Sequence, residues 1–547
     1  MRRTSRTAVV RVFLLWSIPS VIVLLRFVLP WMRRIDLRDP VLSVLCHISA
    51  TIWFVVLCWS WYHLVCQLSA SFKRLPQTLA EEVQHRTRFV ILYLTCDDFN
   101  ETCCVHCMQQ DYPVESYRVL ICDDSKGKSY RKLVEDFCDR HKVAPFRRRP
   151  KTGFKAGNLN AAFRDEICRR PEPEEWVVIV DADQTLPPDY LGRLDVALRD
   201  MANDVAFVQT MNRPEEENPN VIHRHTTSTF QRYFGLEVDV FYHRDVVARM
   251  DYGFLPLLGH GCAVRTSAWR TMGGFPAAVS EDFAFSVRVA NMRSTGTYAP
   301  EVVSYEAYPR DFSAFVVRLM KFAAGTAELF RSRETREFLL GCPGCAQLDF
   351  VLLLAWYPLM PLVLANIFLS TYVCHRLDFL GLTLLHPLLP YFFLLMFGLN
   401  LCVFWTVAPF QRAATFWFRC VALYQSTIPA AAYNFVRYAF SGARPPFLRT
   451  PKEDARPRHG ALDVCMPILG VFGLCAALRW RSPFSFVLAS HSVAHVFFPL
   501  FRWLNVDNLR GVFARTLIFL PGALLIVALF AMWASAKFSV ELLRGFH

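Results

Sequence analysis

The chain has no Walker-type phosphate loop in its 547 residues, which argues against ATP hydrolysis as the main activity. It has no G-x-S-x-G elbow, which removes the hydrolases built on that turn. It has no His/Glu zinc motif, which counts against a zinc-dependent membrane hydrolase. The 18 cysteines form no spaced framework. Cys103-Cys104 with Cys107 is a local cluster, and Cys342-Pro343-Gly344-Cys345 is a C-x-x-C without a second pair at zinc-ribbon spacing, so reduced thiols are expected. No basic stretch is interleaved with aromatics, so the net charge of +13 does not point to nucleic acid. Internal repeats and low-complexity segments are also missing.

What the chain has is apolar length: 53% of its residues are hydrophobic. Ala8–Met32 and Val41–Leu68 are each near the roughly 20 residues that span a bilayer. The first follows Arg2, Arg3 and Arg6 but lacks a small-residue cleavage site, so a retained anchor is expected rather than a signal peptide. Further spans are expected at Leu348–Cys374, Gly381–Thr406, Leu462–Leu478, Phe484–Phe501 and Thr516–Trp533, about seven in all by the length criterion. Gln411–Phe440 is amphipathic and aromatic, with Arg412, Arg419 and Arg437, and reads as a helix lying in the membrane interface. Arginine and lysine near the span ends place both middle regions on the cytosolic side, with Arg33, Arg34 and Arg38 in mild conflict. The expected division is two N-terminal transmembrane helices (1–72), a cytosolic domain (73–311), interfacial helices (312–345), transmembrane helices (346–408), an interfacial helix and loop (409–461) and C-terminal transmembrane helices (462–547). No separate C-terminal domain is expected after the last span.

In residues 73–311, β-type runs at Phe89–Leu94, Arg118–Cys122, Trp176–Val180 and Val205–Thr210 alternate with helical stretches, which predicts a mostly parallel sheet flanked by helices. Asp181-Ala182-Asp183 ends the third run. The spacing points both carboxylates to one face at the carboxyl tip of a strand, where open α/β sheets keep their ligand sites. Such a pair suits a hard divalent cation holding a diphosphate.

Other motifs surround that pair in order: Cys96-Asp97-Asp98-Phe99-Asn100, then Asp123-Asp124-Ser125, then Lys155-Ala156-Gly157-Asn158-Leu159-Asn160 ahead of it, and Gly259-His260-Gly261-Cys262 and Ser280-Glu281-Asp282 behind it. The ordered set resembles the membrane-embedded family 2 glycosyltransferases, the group of bacterial cellulose synthase and hyaluronan synthase. The resemblance implies an α/β GT-A-type cytosolic domain inserted in a multi-span α-helical membrane domain. It implies that Asp123, Asp124 and Lys155 bind the donor nucleotide, that Asp181 and Asp183 hold Mg2+ or Mn2+, and that Asp282 is the general base for an inverting transfer. His260, Gly261 and Cys262 match the segment beside the acceptor sugar.

Two segments depart from that family's pattern. Its polymerases carry Gln-x-x-Arg-Trp on an interfacial helix, where this chain reads Arg318-x-x-Lys321-Phe322. Lysine meets a diphosphate as a point charge rather than a fork, and phenylalanine stacks under a sugar with less area than tryptophan. Phe447-Leu448-Arg449-Thr450-Pro451-Lys452 resembles the family's gating loop, whose Thr and Lys close over the nucleotide, but Glu453 replaces the usual glycine. The resemblance thus implies a multi-pass plasma- or inner-membrane enzyme that uses a UDP-sugar, UDP-glucose above all, to make a β-glucan or related polysaccharide on a growing glycan acceptor. The alternative is non-processive transfer of one sugar to a lipid or short acceptor, and an accessory subunit or homo-oligomer stays open. A transporter that merely binds nucleotide-sugar would need no base, so Asp123, Asp183 and Asp282 together argue against it.

Overall fold

The computed structural model describes residues 6–25, 29, 39–71, 73, 87–199, 201–219, 229–250, 253–309, 311–341, 344–376, 398–399, 401–443, 460–480, 482, 484–503, 518–531 and 534. Thr450 and Lys452, and with them the whole Phe447–Lys452 segment, lie outside the described residues, as does most of the expected span Gly381–Thr406.

Each of the four apolar runs forms a strand. They are β1 (Phe89–Thr95), β2 (Tyr117–Asp123), β4 (Trp176–Asp181) and β6 (Val205–Pro214), joined by the shorter β3 (Pro145–Phe146), β5 (Gln184–Thr185) and β7 (Cys262–Arg265) and by β8 (Thr295–Glu306). The eight strands lie in the order β3-β2-β1-β4-β7-β6-β8-β5. β1 is parallel to β2 and β4, and β6 to β8, but β7 runs antiparallel to both β4 and β6, and β5 antiparallel to β8. The sheet is therefore mixed rather than mostly parallel. The reason is local: β7 is a four-residue strand wedged between two of the expected strands, which still run the same way on either side of it.

Both faces of the sheet are covered, so β1 is buried along its whole length. Alternate residues feed opposite cores: Val90, Leu92, Val177 and Ile179 enter one, and Ile91, Tyr93, Val178 and Val180 the other. The register puts Thr95 opposite Asp123 and Leu94 opposite Asp181. Three strands thus end at one edge, and two of them end in an aspartate.

Three helices are long and apolar enough to cross a membrane: Pro40–Ser71, Trp356–Arg376 and Ala461–Arg479. The outer faces of the first and third expose Val41, Val44, Ile48, Val464, Ile468 and Phe472, a pattern that is unfavourable in water and neutral in lipid. Four of the seven expected segments, one of them holding the second of these helices, are shorter or divided. Ala8–Met32 is helical over Arg6–Val23, with a shorter apolar stretch, and Thr516–Trp533 carries the short apolar helix Ile518–Ala531. Leu348–Cys374 divides into Gly344–Leu354 and Trp356–Arg376, and Phe484–Phe501 divides at Phe497. Each break lies just before a proline, Pro358 or Pro499, which cannot donate to the carbonyl four residues back. Gln411–Phe440 is one helix, Phe410–Phe440, and it packs against the Phe312–Arg331 helix, with Asn434 Nδ2 donating to the Met320 carbonyl at 3.3 Å.

Candidate active site

A cleft of about 1530 Å3 opens at the carboxyl edge of β1, β2 and β4 and extends to the Phe312–Arg331 helix. Asp124, Lys155, Asp181, Asp183, His260 and Asp282 all line it. The sequence-predicted residues therefore converge, with three exceptions among the described residues. Asp123 is fully buried, its carboxylate accepting from the Ser125 N–H at 2.8 Å and from Arg147 Nε at 2.7 Å. Gly261 and Cys262 also stay off the lining: Cys262 is fully buried at the start of β7, and the Gly261 carbonyl accepts from Thr210 Oγ1 at 2.6 Å. Adjacent acids on a strand end point to opposite sides, so of the Asp123-Asp124 pair only the second reaches the cleft. Asp124 is held there by Arg148 Nη2 at 2.6 Å.

Lys155 stands on the second residue of the Phe154–Ala162 helix. Gly157, in the first turn of that helix, lies against the Thr152 carbonyl, where a β-carbon would overlap it. Lys155 Nζ then reaches Asp181 Oδ1 at 2.7 Å and the Gly259 carbonyl at 2.9 Å. Burial opposes the lysine's charge, but Asp181, Glu281 and Asp282 more than offset it and raise its pKa, so it remains a cation.

Asp282 is the second residue of the Glu281–Asn291 helix, and its Oδ1 accepts from the Phe283 N–H at 2.8 Å. Ser280 makes no side-chain cap, so the segment is not an ordinary capping arrangement. Burial pushes the Asp282 carboxyl above the usual aspartate range, while Phe283 N–H, Lys155 and Lys321 hold it back. Glu281 is pushed up to about 7, by burial first and then by the charge of Asp282. Gly259, at φ +81°, passes so close to Asp282 that a β-carbon there would lie 2.9 Å from Oδ2.

His260 is neutral at ordinary pH: burial holds its imidazole down to about 4, with Asp181 opposing and Lys155 and Arg318 adding to the fall. At the far wall, Arg318, Lys321 and Phe322 line the cleft, and the Arg318 guanidinium lies 5.3 Å from the Phe322 ring centre.

Other cleft residues were given no role from the sequence. Asp97 accepts from the Lys126 and Gly127 N–H groups at 2.8 Å each, and Asp98 from the Cys96 N–H at 2.7 Å. Glu237 accepts a short hydrogen bond from the Tyr424 hydroxyl, and its other oxygen is enclosed without a partner. Burial raises its pKa to about 7, with the Tyr424 hydroxyl and then Arg318 opposing. The Asp-Asp pair at 97–98 sits at a strand end and had the same signal as Asp123-Asp124. Glu237 had none, because its partner is 187 residues away.

No group of three or more metal-ligating side chains stands together among the described residues. Asp181 and Asp183 are the two carboxylates that would hold a divalent ion, although Asp181 Oδ1 already accepts from Lys155 Nζ at 2.7 Å. Two carboxylates beside substrate phosphates are the set that Mg2+ accepts, and the negative field is there: Glu215 is pushed up by burial and by the charge of Asp183.

Residues 176–432 match the family described as "Glycosyl transferase family group 2". The match runs from the first residue of β4 into the Phe410–Phe440 helix and takes in Asp181, Asp183, His260, Asp282 and Lys321; Lys155 precedes it. It supports a family 2 glycosyltransferase. Among solved structures, the chain is similar to the mannosyltransferase PcManGT from Pyrobaculum calidifontis in complex with GDP-Man and Mn2+, at 19% identity and a TM-score of 0.45, covering 73% of this chain and 100% of that one. It is also similar to S. aureus TarS, at 12% identity and a TM-score of 0.32, covering 59% of this chain and 55% of that one. TarS 1-349 in complex with UDP-GlcNAc is 11% identical with a TM-score of 0.31, covering 65% of this chain and 91% of that one. No curated protein matches.

Proposed function

We propose that the chain is an inverting family 2 glycosyltransferase that moves a sugar from a nucleoside-diphosphate donor to a saccharide hydroxyl, with Asp282 as the general base. One observation carries this reading: Lys155 bonds both Asp181 and the Gly259 carbonyl, and Gly259 packs on Asp282, so the donor-side acids and the base are joined through two residues. Asp124 and Lys155 hold the nucleotide side, and Lys321 faces the diphosphate. Asp181 and Asp183 hold Mg2+ or Mn2+, which when bound neutralises the charge on the diphosphate leaving group. Asp282 takes the proton of the acceptor hydroxyl, the freed oxygen pair attacks the anomeric carbon, and the sugar–phosphate bond breaks to release the nucleoside diphosphate. One displacement turns an α-linked donor into a β-linked product.

The motif order favours UDP-glucose and a β-linked polysaccharide extended by a multi-pass membrane enzyme whose sheet domain faces the cytosol. Three candidate spans support the membrane part, and one of them, Trp356–Arg376, reaches the cleft through Trp356 and Tyr357. A second reading, transfer of a single sugar to a lipid or short acceptor, is favoured by Arg318-x-x-Lys321-Phe322 in place of Gln-x-x-Arg-Trp. A panel of labelled nucleotide sugars on membranes carrying the chain tests both. Transfer from UDP-glucose into long product supports the polymerase, short lipid-linked products support the second reading, and no transfer from any donor removes both.

A further inference from the structure

Gln184 and Asn212 are fully buried beside the cleft and belong to none of the motifs used above. Gln184 Oε1 accepts from two backbone N–H groups, those of Asp181 at 3.1 Å and Gly261 at 3.2 Å. Backbone N–H groups are donors only, so the orientation of this amide is fixed. Its Nε2 must then face the other way, where it lies 3.0 Å from Asn212 Oδ1 and 3.1 Å from His260 Nδ1. That fixes the second amide in turn: Asn212 Oδ1 receives Gln184, and Asn212 Nδ2 lies 2.6 Å from His260 Nδ1 and 3.1 Å from the Tyr242 hydroxyl.

His260 Nδ1 therefore has two N–H donors within hydrogen-bond distance, while the Glu306 carboxylate, which also accepts from Asn212 Nδ2 at 3.4 Å, stands outside that distance from Nδ1 at 3.7 Å, so the nitrogen accepts. The proton of the neutral ring stands on Nε2. Because Nδ1 is turned into the buried network, the edge of the ring that meets the cleft carries Nε2, and the His260 side chain is 17% exposed there. We infer that Gln184 and Asn212 are positioning residues that lock His260 in its Nε2–H tautomer, presenting a fixed hydrogen-bond donor to an oxygen of the acceptor saccharide. The inference rests on the proposed transfer reaction for the identity of the ligand, but not for the tautomer.

The consequence is a division of labour in the cleft. A ring whose exposed nitrogen already holds a proton cannot take one from the acceptor hydroxyl, so His260 recognises and Asp282 removes. A fixed N–H also selects for an oxygen lone pair at that place in the acceptor, a hydroxyl or ether rather than an ammonium group.

The test uses the full chain in detergent with 15N-labelled histidine. Long-range proton–nitrogen correlation, with the His260 signal assigned by its loss in His260→Gln, is expected to show a neutral Nε2–H ring. A ring protonated on Nδ1, or on both nitrogens, overturns the inference whatever the enzyme's activity. Asn212→Asp replaces the nearer donor with an oxygen and is expected to draw the proton to Nδ1 and raise the acceptor KM about tenfold, the loss of one hydrogen bond, while the donor KM stays close to the parent. An unchanged tautomer and acceptor KM in a folded Asn212→Asp protein count against it. If that variant does not fold, the spectrum of the parent decides. A parent that shows the Nε2–H ring but transfers no sugar sinks the proposed function and leaves the tautomer standing.

Discussion

Arg249 and Asp349 form an ion pair that solvent does not reach: Nη2 and Nε lie 2.9 and 3.0 Å from the carboxylate, and the side chains are 1% and 0% exposed. The carboxylate also accepts from the Tyr62 hydroxyl at 2.6 Å and the Phe254 N–H at 2.8 Å. One buried acid thus ties the candidate span Pro40–Ser71, the Gly344–Leu354 helix and the loop that leads to His260. Removing one partner of a buried pair leaves an uncompensated charge and costs about 3–5 kcal/mol. Asp349→Ala is expected to lower thermal stability by that order in detergent, with Asp349→Asn milder because it keeps an acceptor. A Tm for Asp349→Ala within a degree of the parent would show that the joint does not hold the domain to its helices.

Four of the long strands, β1, β2, β4 and β6, were legible as apolar runs, and the Asp181/Asp183 edge because an apolar run ending in acids is a local pattern, whereas the longest strand, β8, was not read from the sequence. β7 was not, since four residues buried on both sides have no period to read. Strand alternation separates Asp123 from Asp124, but which of the two faces the cleft was hidden until the packing of Arg147 and Arg148 against them was seen. Lys155 belongs to a contiguous motif and lines the cleft, whereas Gln184, Asn212 and Glu237 depend on partners that only the folded sheet and the Phe410–Phe440 helix bring near. The mixed sheet direction and the divided helices at Pro358 and Pro499 followed from single short segments that length and hydropathy average away.

Asp282 has its pKa raised by burial and restrained by Lys155 and Lys321. A base must be ionised, so the acid limb of kcat/KM is expected above the ordinary aspartate range, with activity falling as the pH drops through it. Asp282→Asn should remove about 10²–10⁴-fold of the rate with donor binding kept. Lys155→Gln takes away a charge that favours the carboxylate, so it should move the acid limb upward. A pH profile of the parent and Lys155→Gln checks the sign, and a downward shift contradicts the assignment.

Gly259 combines φ +81° with contact on the base. Gly259→Ala would strain the backbone by about 1–2 kcal/mol and press on Asp282 Oδ2. Misplacing a catalytic group by about 1 Å costs on the order of 10²-fold, so kcat is expected to fall far more than the loss of stability explains. Parallel Tm and kcat measurements separate the two effects; equal, small changes in both would mean that Asp282 does not need this contact.

In the proposed reaction Asp183 and Asp181 are the oxygen donors to the divalent ion. Chelation with EDTA is expected to stop transfer in the parent, and Mn2+ or Mg2+ to restore it. Asp183→Asn should raise the metal concentration needed for half-maximal donor binding by about 10-fold or more, since a carboxylate ligand becomes a neutral one. Donor binding by calorimetry at several metal concentrations reads this directly, and metal-independent binding by the parent would remove the assignment.

Glu237 links stability to pH. Its folded pKa is raised from 4.5 to about 7, by burial above all. The sign follows from linkage: an acid whose folded pKa lies above its unfolded value contributes stability that is fully present below the unfolded value and is lost as pH rises through the folded one. The contribution should therefore fade between about pH 4.5 and pH 7, by on the order of 3 kcal/mol. Glu237→Gln keeps the size and an acceptor for Tyr424 but cannot ionise. The difference in Tm between Glu237→Gln and the parent is expected to grow in favour of the variant across that window and level off above it. Chemical denaturation of both proteins at a series of pH values measures it; a difference that stays flat from pH 4.5 to 8 would mean that Glu237 is well solvated, and the enclosed Glu237–Tyr424 contact would have to be abandoned.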